Sequence, residues 1–123
     1  MQEELDRLTA LIVSAAEAKK GEDLVILDLQ PLEHFADRFI IAGAQSRVHL
    51  RAIADEVWKV LKEKAGRQAY LEGCDSSSWI LFECGGVVLH LFSGETREFY
   101  ALERLWADAP RLEASKYATP PER

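Results

Sequence analysis

The sequence has few cysteines and no long apolar segment. Its 123 residues include two cysteines, Cys74 and Cys84, without the spacing of a zinc ligand set, and we interpret both as reduced thiols. Apolar runs such as residues 39–42 are far shorter than the roughly 20 residues that span a bilayer. The N-terminus is acidic, whereas a signal peptide begins with basic residues. We expect a cytoplasmic protein without a membrane anchor.

Basic residues are missing from a long stretch of the chain. The sequence has 15 basic and 21 acidic side chains, a net charge of −6, and no lysine or arginine from Gln68 to Thr96. The clearest positive excess lies in residues 47–67, with six basic and three acidic side chains. Phosphate binding depends on clustered lysine and arginine, so this chain is a poor sole binder of nucleic acid. A basic protein partner suits its acidic surface better.

Motifs of common nucleotide and metal sites are also missing. The chain has no GxGxxG or GxxxxGK[ST], and its three histidines, His34, His49 and His90, are scattered. The turn over residues 43–46 resembles the phosphate-holding turn of nucleotidyltransferases, but no alternating pair of carboxylates follows it. The same turn commonly does no more than begin a helix. We expect no metal, no cofactor and no catalysis, with a nucleotide-binding or nucleotidyltransferase-type enzyme as the alternative.

Hydrophobic periodicity predicts the element order α-β-β-α-β-β-β-α. The predicted helices cover residues 3–20, ended by Gly21, residues 46–66, with Ser46 as N-cap, and residues 94–109. The predicted strands cover residues 23–29, 39–43, 68–71, 79–84 and 87–92. Gly85-Gly86 joins the last two strands as a tight hairpin, and the last three form a meander. This order predicts an α/β (α+β) fold with one mixed sheet flanked by helices, a single domain over residues 1–109, and a flexible tail over residues 110–123.

The segment from Asp75 to Gly86 has the most unusual local composition. A polar run of serines leads to Trp79, on a strand of otherwise large apolar residues. Tryptophan is enriched in the centres of protein interfaces, although core packing explains its periodicity equally well. His90 falls on the same strand face as Val88 and Phe92. A partly buried histidine with its hydrogen bonds satisfied is the simpler interpretation, and a role in an interface is the alternative.

Four groups of residues, in this order, resemble the ribosomal silencing factor family, also called RsfS, Iojap or YbeB-like. They are Asp37-Arg38-Phe39-Ile40-Ile41-Ala42, then Ser46 followed by Arg51 to Val57, then Trp79-Ile80-Leu81-Phe82 with Val87 to Phe92, and finally Arg97 to Ala109. The resemblance covers about residues 5–109. It implies a nucleotidyltransferase-like domain without the catalytic carboxylates. It also implies binding to the large ribosomal subunit through ribosomal protein L-fourteen, which blocks subunit joining and represses translation under nutrient limitation, and a homodimer in the free state.

The hairpin both carries the resemblance and departs from it. Glu83, Cys84 and Gly86 stand where the family pattern has Asp, Tyr and Asp, and Arg38 replaces an aromatic or small polar residue. An acidic face that carries tryptophan is expected to dock on a basic ribosomal protein, with limited direct contact to rRNA. The predicted contact residues are Asp75, Trp79, Leu81 and Glu83 on the hairpin, with His90, Arg97 and Tyr100 nearby. Periodicity does not indicate which sheet face the helices cover.

Overall fold

The computed structural model of the chain places two helices on one face of a six-stranded sheet. It describes residues 2–30, 36–73, 79–93, 110–113 and 117. The elements are α1 (Gln2–Ala18), β1 (Glu22–Asp28), β2 (Arg38–Ala44), α2 (Arg47–Lys64), β3 (Tyr70–Glu72), β4 (Trp79–Cys84), β5 (Val87–Ser93) and β6 (Arg111–Leu112). The predicted helix over residues 94–109 lies outside the described residues. No helix in the described part of the chain is long and apolar enough to cross a membrane.

The sheet is mixed, as the sequence predicted. Its strand order is β3-β4-β5-β2-β1-β6. The β3-β4-β5 meander is confirmed, and both of its strand pairs are antiparallel. Strand β5 then pairs with β2 in parallel, and β2 pairs with β1 antiparallel. The predicted α+β fold with one mixed sheet is therefore correct.

The central strands β2 and β5 are covered on both faces. Every residue of β2 is buried, and so is all of β5 except Ser93. On one face, Ile40 and Leu89 join the main core with the apolar sides of α1 and α2. On the other face, Phe39 and Val88 belong to a second apolar cluster. Because both faces are apolar, these strands lack the alternation of a half-exposed strand.

The structure adds one strand that the sequence analysis did not predict. Arg111 and Leu112 pair antiparallel with Leu27 and Ile26 of β1, and Asp28 N–H donates to the Pro110 carbonyl at 2.8 Å. Two residues are too short to show periodicity, so their pairing comes from backbone hydrogen bonds at the open edge of β1. The predicted unstructured tail is wrong for these two residues. Residues 114–116 and 118–123 lie outside the described part.

The ends of the helices follow local capping chemistry. The Ser46 hydroxyl accepts a hydrogen bond from His49 N–H at 3.1 Å, which confirms the predicted N-cap of α2. At the end of α1 the left-handed residue is Lys20, with φ +62°, where the sequence predicted that Gly21 would serve. Gly21 N–H instead donates to the Ala16 carbonyl at 2.9 Å. This pattern is a Schellman motif shifted by one residue.

Two arginines tie α1 to the rest of the fold. Arg7 donates from Nη1 to the Lys64 carbonyl at 2.8 Å and from Nη2 to the Ala65 carbonyl at 2.5 Å, which caps the end of α2. Arg7 also pairs with Glu4, and this hydrogen bond is the main reason that the pKa of Glu4 lies below its usual value.

Arg38 is almost completely buried, at the start of β2. Its Nη1 lies 2.7 Å from an Asp6 carboxylate oxygen and 3.0 Å from the Thr9 hydroxyl. The guanidinium carbon also lies 5.5 Å from the centre of the Tyr117 ring. At this position, where the chain departs from the family pattern, an ion pair therefore joins α1 to β2.

We predict that Arg7→Ala lowers the free energy of unfolding by about 2 kcal/mol, because two carbonyls at the end of α2 lose a charged donor. The control is Glu4→Gln, which keeps the side-chain shape but removes the exposed Arg7–Glu4 ion pair. Its cost should be much smaller than that of Arg7→Ala, because exposed ion pairs contribute little to stability. Urea unfolding of the three proteins measures both effects. Equal losses would mean that the ion pair, and not the helix cap, is the stabilising contact.

Candidate functional site

The predicted contact residues of β4 lie on the sheet face opposite the two helices. Ile80, Phe82 and Cys84 point into the main core with α1 and α2. The alternate residues Trp79, Leu81 and Glu83 therefore point away from the helices. Trp79 and Glu83 are exposed and Leu81 is partly buried. The structure thus identifies the face that periodicity left open.

Strand β3 extends this face with two residues that the sequence analysis missed. Tyr70 stands opposite Glu83, and Glu72 stands opposite Leu81. Both are exposed, Tyr70 by 56%. The sequence pattern that could have identified these two residues is their alternation with the apolar Leu71, which is the more buried residue. We name this set the hairpin surface; its members are Tyr70, Glu72, Trp79, Leu81, Glu83 and the neighbouring His90.

Aromatic rings hold Trp79 in place from below. Its indole stacks on Phe92, its cross-strand neighbour, with ring centres 5.4 Å apart and an interplanar angle of 22°. It also stacks on His90 at 6.0 Å. Phe39 of β2 contacts His90 edge to face at 4.7 Å. The indole is 37% exposed, so it is fixed on one side and open on the other. Such a ring binds with little loss of conformational entropy.

His90 is a buried, neutral histidine beneath Trp79. Trp79 Nε1 donates to His90 Nδ1 at 3.3 Å, a bond that requires Nδ1 to be unprotonated. The side chain is only 6% exposed, and burial lowers the pKa of His90 to about 4. Its Nε2 makes no hydrogen bond with the described residues. His90 is thus more deeply buried than predicted, and within the described residues only one of its two nitrogens is hydrogen-bonded, where the prediction had both satisfied.

A cleft of about 320 Å³ opens beside the hairpin surface. Its lining is mainly apolar and has few polar groups. The lining residues are Ala36, Phe39, Tyr70, Leu81, Glu83, Gly86, Val88 and His90. Four of these residues belong to the hairpin surface. A concave, mostly apolar cleft with few polar groups is the usual form of a binding site.

Two of the three hairpin positions that depart from the family pattern, Cys84 and Gly86, lie outside the hairpin surface, although Gly86 lines the cleft beside it. Cys84 points into the main core, where burial raises the pKa of its thiol. Gly86 has φ +90°, and a Cβ there would approach the Asp37 carboxylate to 2.5 Å. Glu83 alone of the three lies on the hairpin surface, and it keeps the negative charge. The predicted residues Asp75, Arg97 and Tyr100 lie outside the described part of the chain.

The turn before α2, the basis of the alternative function, is occupied by its own side chains. His49 Nδ1 accepts from Gln45 N–H at 2.9 Å, and the Ser46 hydroxyl accepts from His49 N–H. His49 Nε2 lies 2.8 Å from the Lys19 carbonyl, so the imidazole links this turn to the end of α1. This role of His49 was not predicted, because no local pattern links residue 49 to the end of α1. Two backbone N–H groups that an anion would need are therefore already used.

No group of three or more histidine, cysteine or acidic side chains within the described ranges has the arrangement of a metal site. The carboxylates that a nucleotidyltransferase would use are also separated. Glu83 lies on β4 and points to the face opposite α2. Asp28 lies on β1, and strands β5 and β2 stand between β4 and β1 in the sheet. This geometry gives no support to metal-dependent phosphoryl transfer through the 43–46 turn.

Comparison with known proteins gives a consistent result. The family described as "Ribosomal silencing factor during starvation" matches residues 2–123. A ribosomal silencing factor from Halalkalibacterium halodurans is 39% identical over 106 residues, 86% of this chain and 91% of its own length. The mouse protein named "Mitochondrial assembly of ribosomal large subunit protein 1" is 31% identical over 78% of this chain and 43% of its own. A crystal structure of a Chromobacterium violaceum protein, 35% identical, has a TM-score of 0.76 over 81% of this chain and 83% of the other.

The fold and its open face define a small α+β domain that exposes aromatic and acidic side chains on one side of a mixed sheet. The chain belongs to the ribosomal silencing factor family. The resemblance noted in the sequence is therefore confirmed.

We predict that His90 makes the protein less stable in acid. Its pKa is about 4 when folded and 6.5 as an ordinary histidine, so the unfolded chain binds the additional proton between these values. The contribution of neutral His90 to the free energy of unfolding is fully present above pH 6.5. It falls by about 3 kcal/mol as the pH drops to 4. His90→Phe keeps an aromatic ring and removes the titration. Urea unfolding at pH 4.5 and 7.5 should give a smaller acid loss for the variant, and equal losses would contradict the prediction.

We also predict that nucleotides do not stabilise the protein. A ligand that binds the folded state raises its stability in proportion to the logarithm of its concentration over Kd. Thermal melts with ATP, GTP or CTP and Mg²⁺ should show no shift in Tm, because the N–H groups of Gln45 and His49 are already bonded. A rise in Tm that depends on nucleotide concentration and is altered by Ser46→Ala would contradict this prediction and support the nucleotide-binding alternative.

Proposed function

We propose that this protein is a non-enzymatic ribosomal silencing factor. In this proposal it binds the large ribosomal subunit through ribosomal protein L-fourteen and blocks the joining of the small subunit. Translation is thereby repressed under nutrient limitation. The protein acts in the cytoplasm by steric occlusion, without a cofactor, and forms a homodimer when free.

The observation that carries the proposal is the composition of the hairpin surface. It combines two exposed aromatic rings, Tyr70 and Trp79, with two exposed acids, Glu72 and Glu83. No lysine or arginine occurs in the sequence from 68 to 96 to neutralise these acids. Aromatic rings supply contact area, and the acids attract a positively charged partner. A basic protein with an apolar patch fits both features.

The rigidity of the surface also supports binding. Trp79 and Leu81 stand on β4, which pairs with β5 over its whole length. The buried rings of Phe92 and His90 fix the orientation of the indole. A surface that is ordered before binding loses less entropy on association.

The names of the relatives agree with this choice of partner. The matching family is described as a silencing factor of the ribosome during starvation. The name of the mouse relative refers to assembly of the large ribosomal subunit. We extend both descriptions to this chain as part of the proposal.

The experiment is sedimentation of the purified protein with separated ribosomal subunits. We expect the protein to sediment with the large subunit, and fewer joined ribosomes to form when it is present. Trp79→Ala should weaken this binding by at least about 2 kcal/mol, because a central aromatic contact is lost. Glu83→Lys should also weaken binding, since it reverses a charge that faces a basic partner. A protein that follows neither subunit would overturn the proposed function.

The matched control is Glu17→Lys, which makes the same charge change at an exposed position of α1 on the helix side of the sheet. It should bind the large subunit as the original protein does. Trp79→Ala removes stacking as well as contact area, so its fold is checked by thermal melting. If Glu83→Lys and Glu17→Lys weaken binding equally, the effect is one of net charge and the hairpin surface is not the interface.

A further inference from the structure

Three basic side chains and one tryptophan lie in a stripe along one flank of α2. At 100° per residue, four exposed side chains fall within about 60° of the helix circumference. They are Arg47, Arg51, Trp58 and Lys62. We name them the basic face of α2. The three acids of the helix lie elsewhere, except that Asp55 borders the stripe and pairs with Arg51 at 3.6 Å.

Trp58 is the aromatic centre of this stripe. It is 36% exposed, and its inner side packs against Phe82 of β4 with ring centres 6.4 Å apart. A cleft of about 270 Å³ opens beside it. The lining includes Lys62, Arg67 and Gln68, which offer two cations and one amide. Arg67 also forms an ion pair with Glu4, whose carboxylate oxygen lies 3.7 Å from Arg67 Nε.

Basic side chains lie close together in this region although the protein as a whole is acidic. The described residues of this region include four cations, Arg47, Arg51, Lys62 and Arg67; Arg51 pairs with Asp55, and Arg67 pairs with Glu4. Both ion pairs are exposed, and exposed pairs contribute little energy. Lys62 and Arg47 make no ion pair with any residue that the structure describes. The net charge of −6 is therefore unevenly distributed, and this part of the surface carries a local group of basic side chains that can attract anions.

We propose that the basic face of α2 binds single-stranded or looped RNA. The cations contact phosphates, and one base stacks on the exposed side of Trp58 with its edge near the Gln68 amide. This surface is separate from the hairpin surface, because α2 and Trp79 lie on opposite faces of the sheet. The direct rRNA contact that the sequence predicted to be limited is then concentrated on a single helix.

RNA fits this surface better than an acidic protein does. Proteins that bind single strands combine cations along a groove with an aromatic side chain on which a base stacks. The stripe has both components, with the indole beside Lys62 and the arginines further along the same helix side. An acidic peptide would use the cations, but it has no base to stack on the open face of the indole.

The test measures the fluorescence anisotropy of a labelled 12-nucleotide uridine RNA, titrated with the full-length protein in low salt. We expect saturable binding that weakens steeply as salt rises, because counterions are released from the RNA. Lys62→Glu should lower affinity about tenfold and reduce the slope of log K against log salt by about 0.7. Trp58→Ala should lower affinity at least about fivefold, and Trp58→Phe should restore most of it.

The matched control is Lys59→Glu, an identical substitution on the same helix. Lys59 is exposed but lies about 100° around the helix from Trp58, whereas Lys62 lies about 40° away. Its effect should stay within about threefold. All variants are compared by thermal melting, because Trp58 also contacts Phe82.

Three results would overturn the inference. They are absence of RNA binding in low salt, equal effects of Lys59→Glu and Lys62→Glu, and binding of polyglutamate as tight as that of RNA with no effect of Trp58→Ala. The last result would assign the face to an acidic protein. Failure here is distinguishable from failure of the proposed function, because large-subunit binding that depends on Trp79 would persist.

Discussion

The parallel pairing of β2 with β5 is the constraint on which the rest of the fold depends. These strands are separated in sequence by α2, β3 and β4, and they lie side by side in the middle of the sheet. Both are apolar on both faces, so neither is stable until both faces are covered. The helices cover one face through Ile40 and Leu89. The opposite face carries Phe39, Val88 and Phe92, and the last of these supports Trp79. The exposed tryptophan thus depends on a buried strand pair.

Local patterns predicted more of this structure than long-range contacts did. Ser46 was recognisable as a cap because a serine before an amphipathic helix bonds within its own turn. Alternation correctly placed His90 with Val88 and Phe92, and it places Trp79, Leu81 and Glu83 on one face. It could not reveal which face the helices cover, since that depends on packing between distant segments. The same reason explains why β6 and the contacts of Arg7 with the end of α2 were missed.

The two faces of strand β4 contribute to two different surfaces of the protein. Through Phe82 it supports Trp58 beneath the basic face of α2, and through Trp79 it forms the hairpin surface. Positive and negative surfaces are therefore separated by the thickness of one sheet, near the edge formed by β3. A ribonucleoprotein surface, in which basic protein adjoins RNA, offers complementary charge to each side. The departures at Cys84 and Gly86 lie outside both surfaces, since Cys84 points into the main core and Gly86 lines the cleft beside the hairpin surface.

The Gly85-Gly86 turn closes the hairpin against the body of the protein. The Gly86 carbonyl accepts hydrogen bonds from the N–H groups of Asp37 and Arg38, and a Cβ on Gly85 would lie 2.6 Å from a Leu8 methyl group. Hairpin tips are ordinarily chosen for inserting peptide tags or for circular permutation, because they project into solvent. This one is unsuitable for both, since any added chain would have to displace α1 and the start of β2.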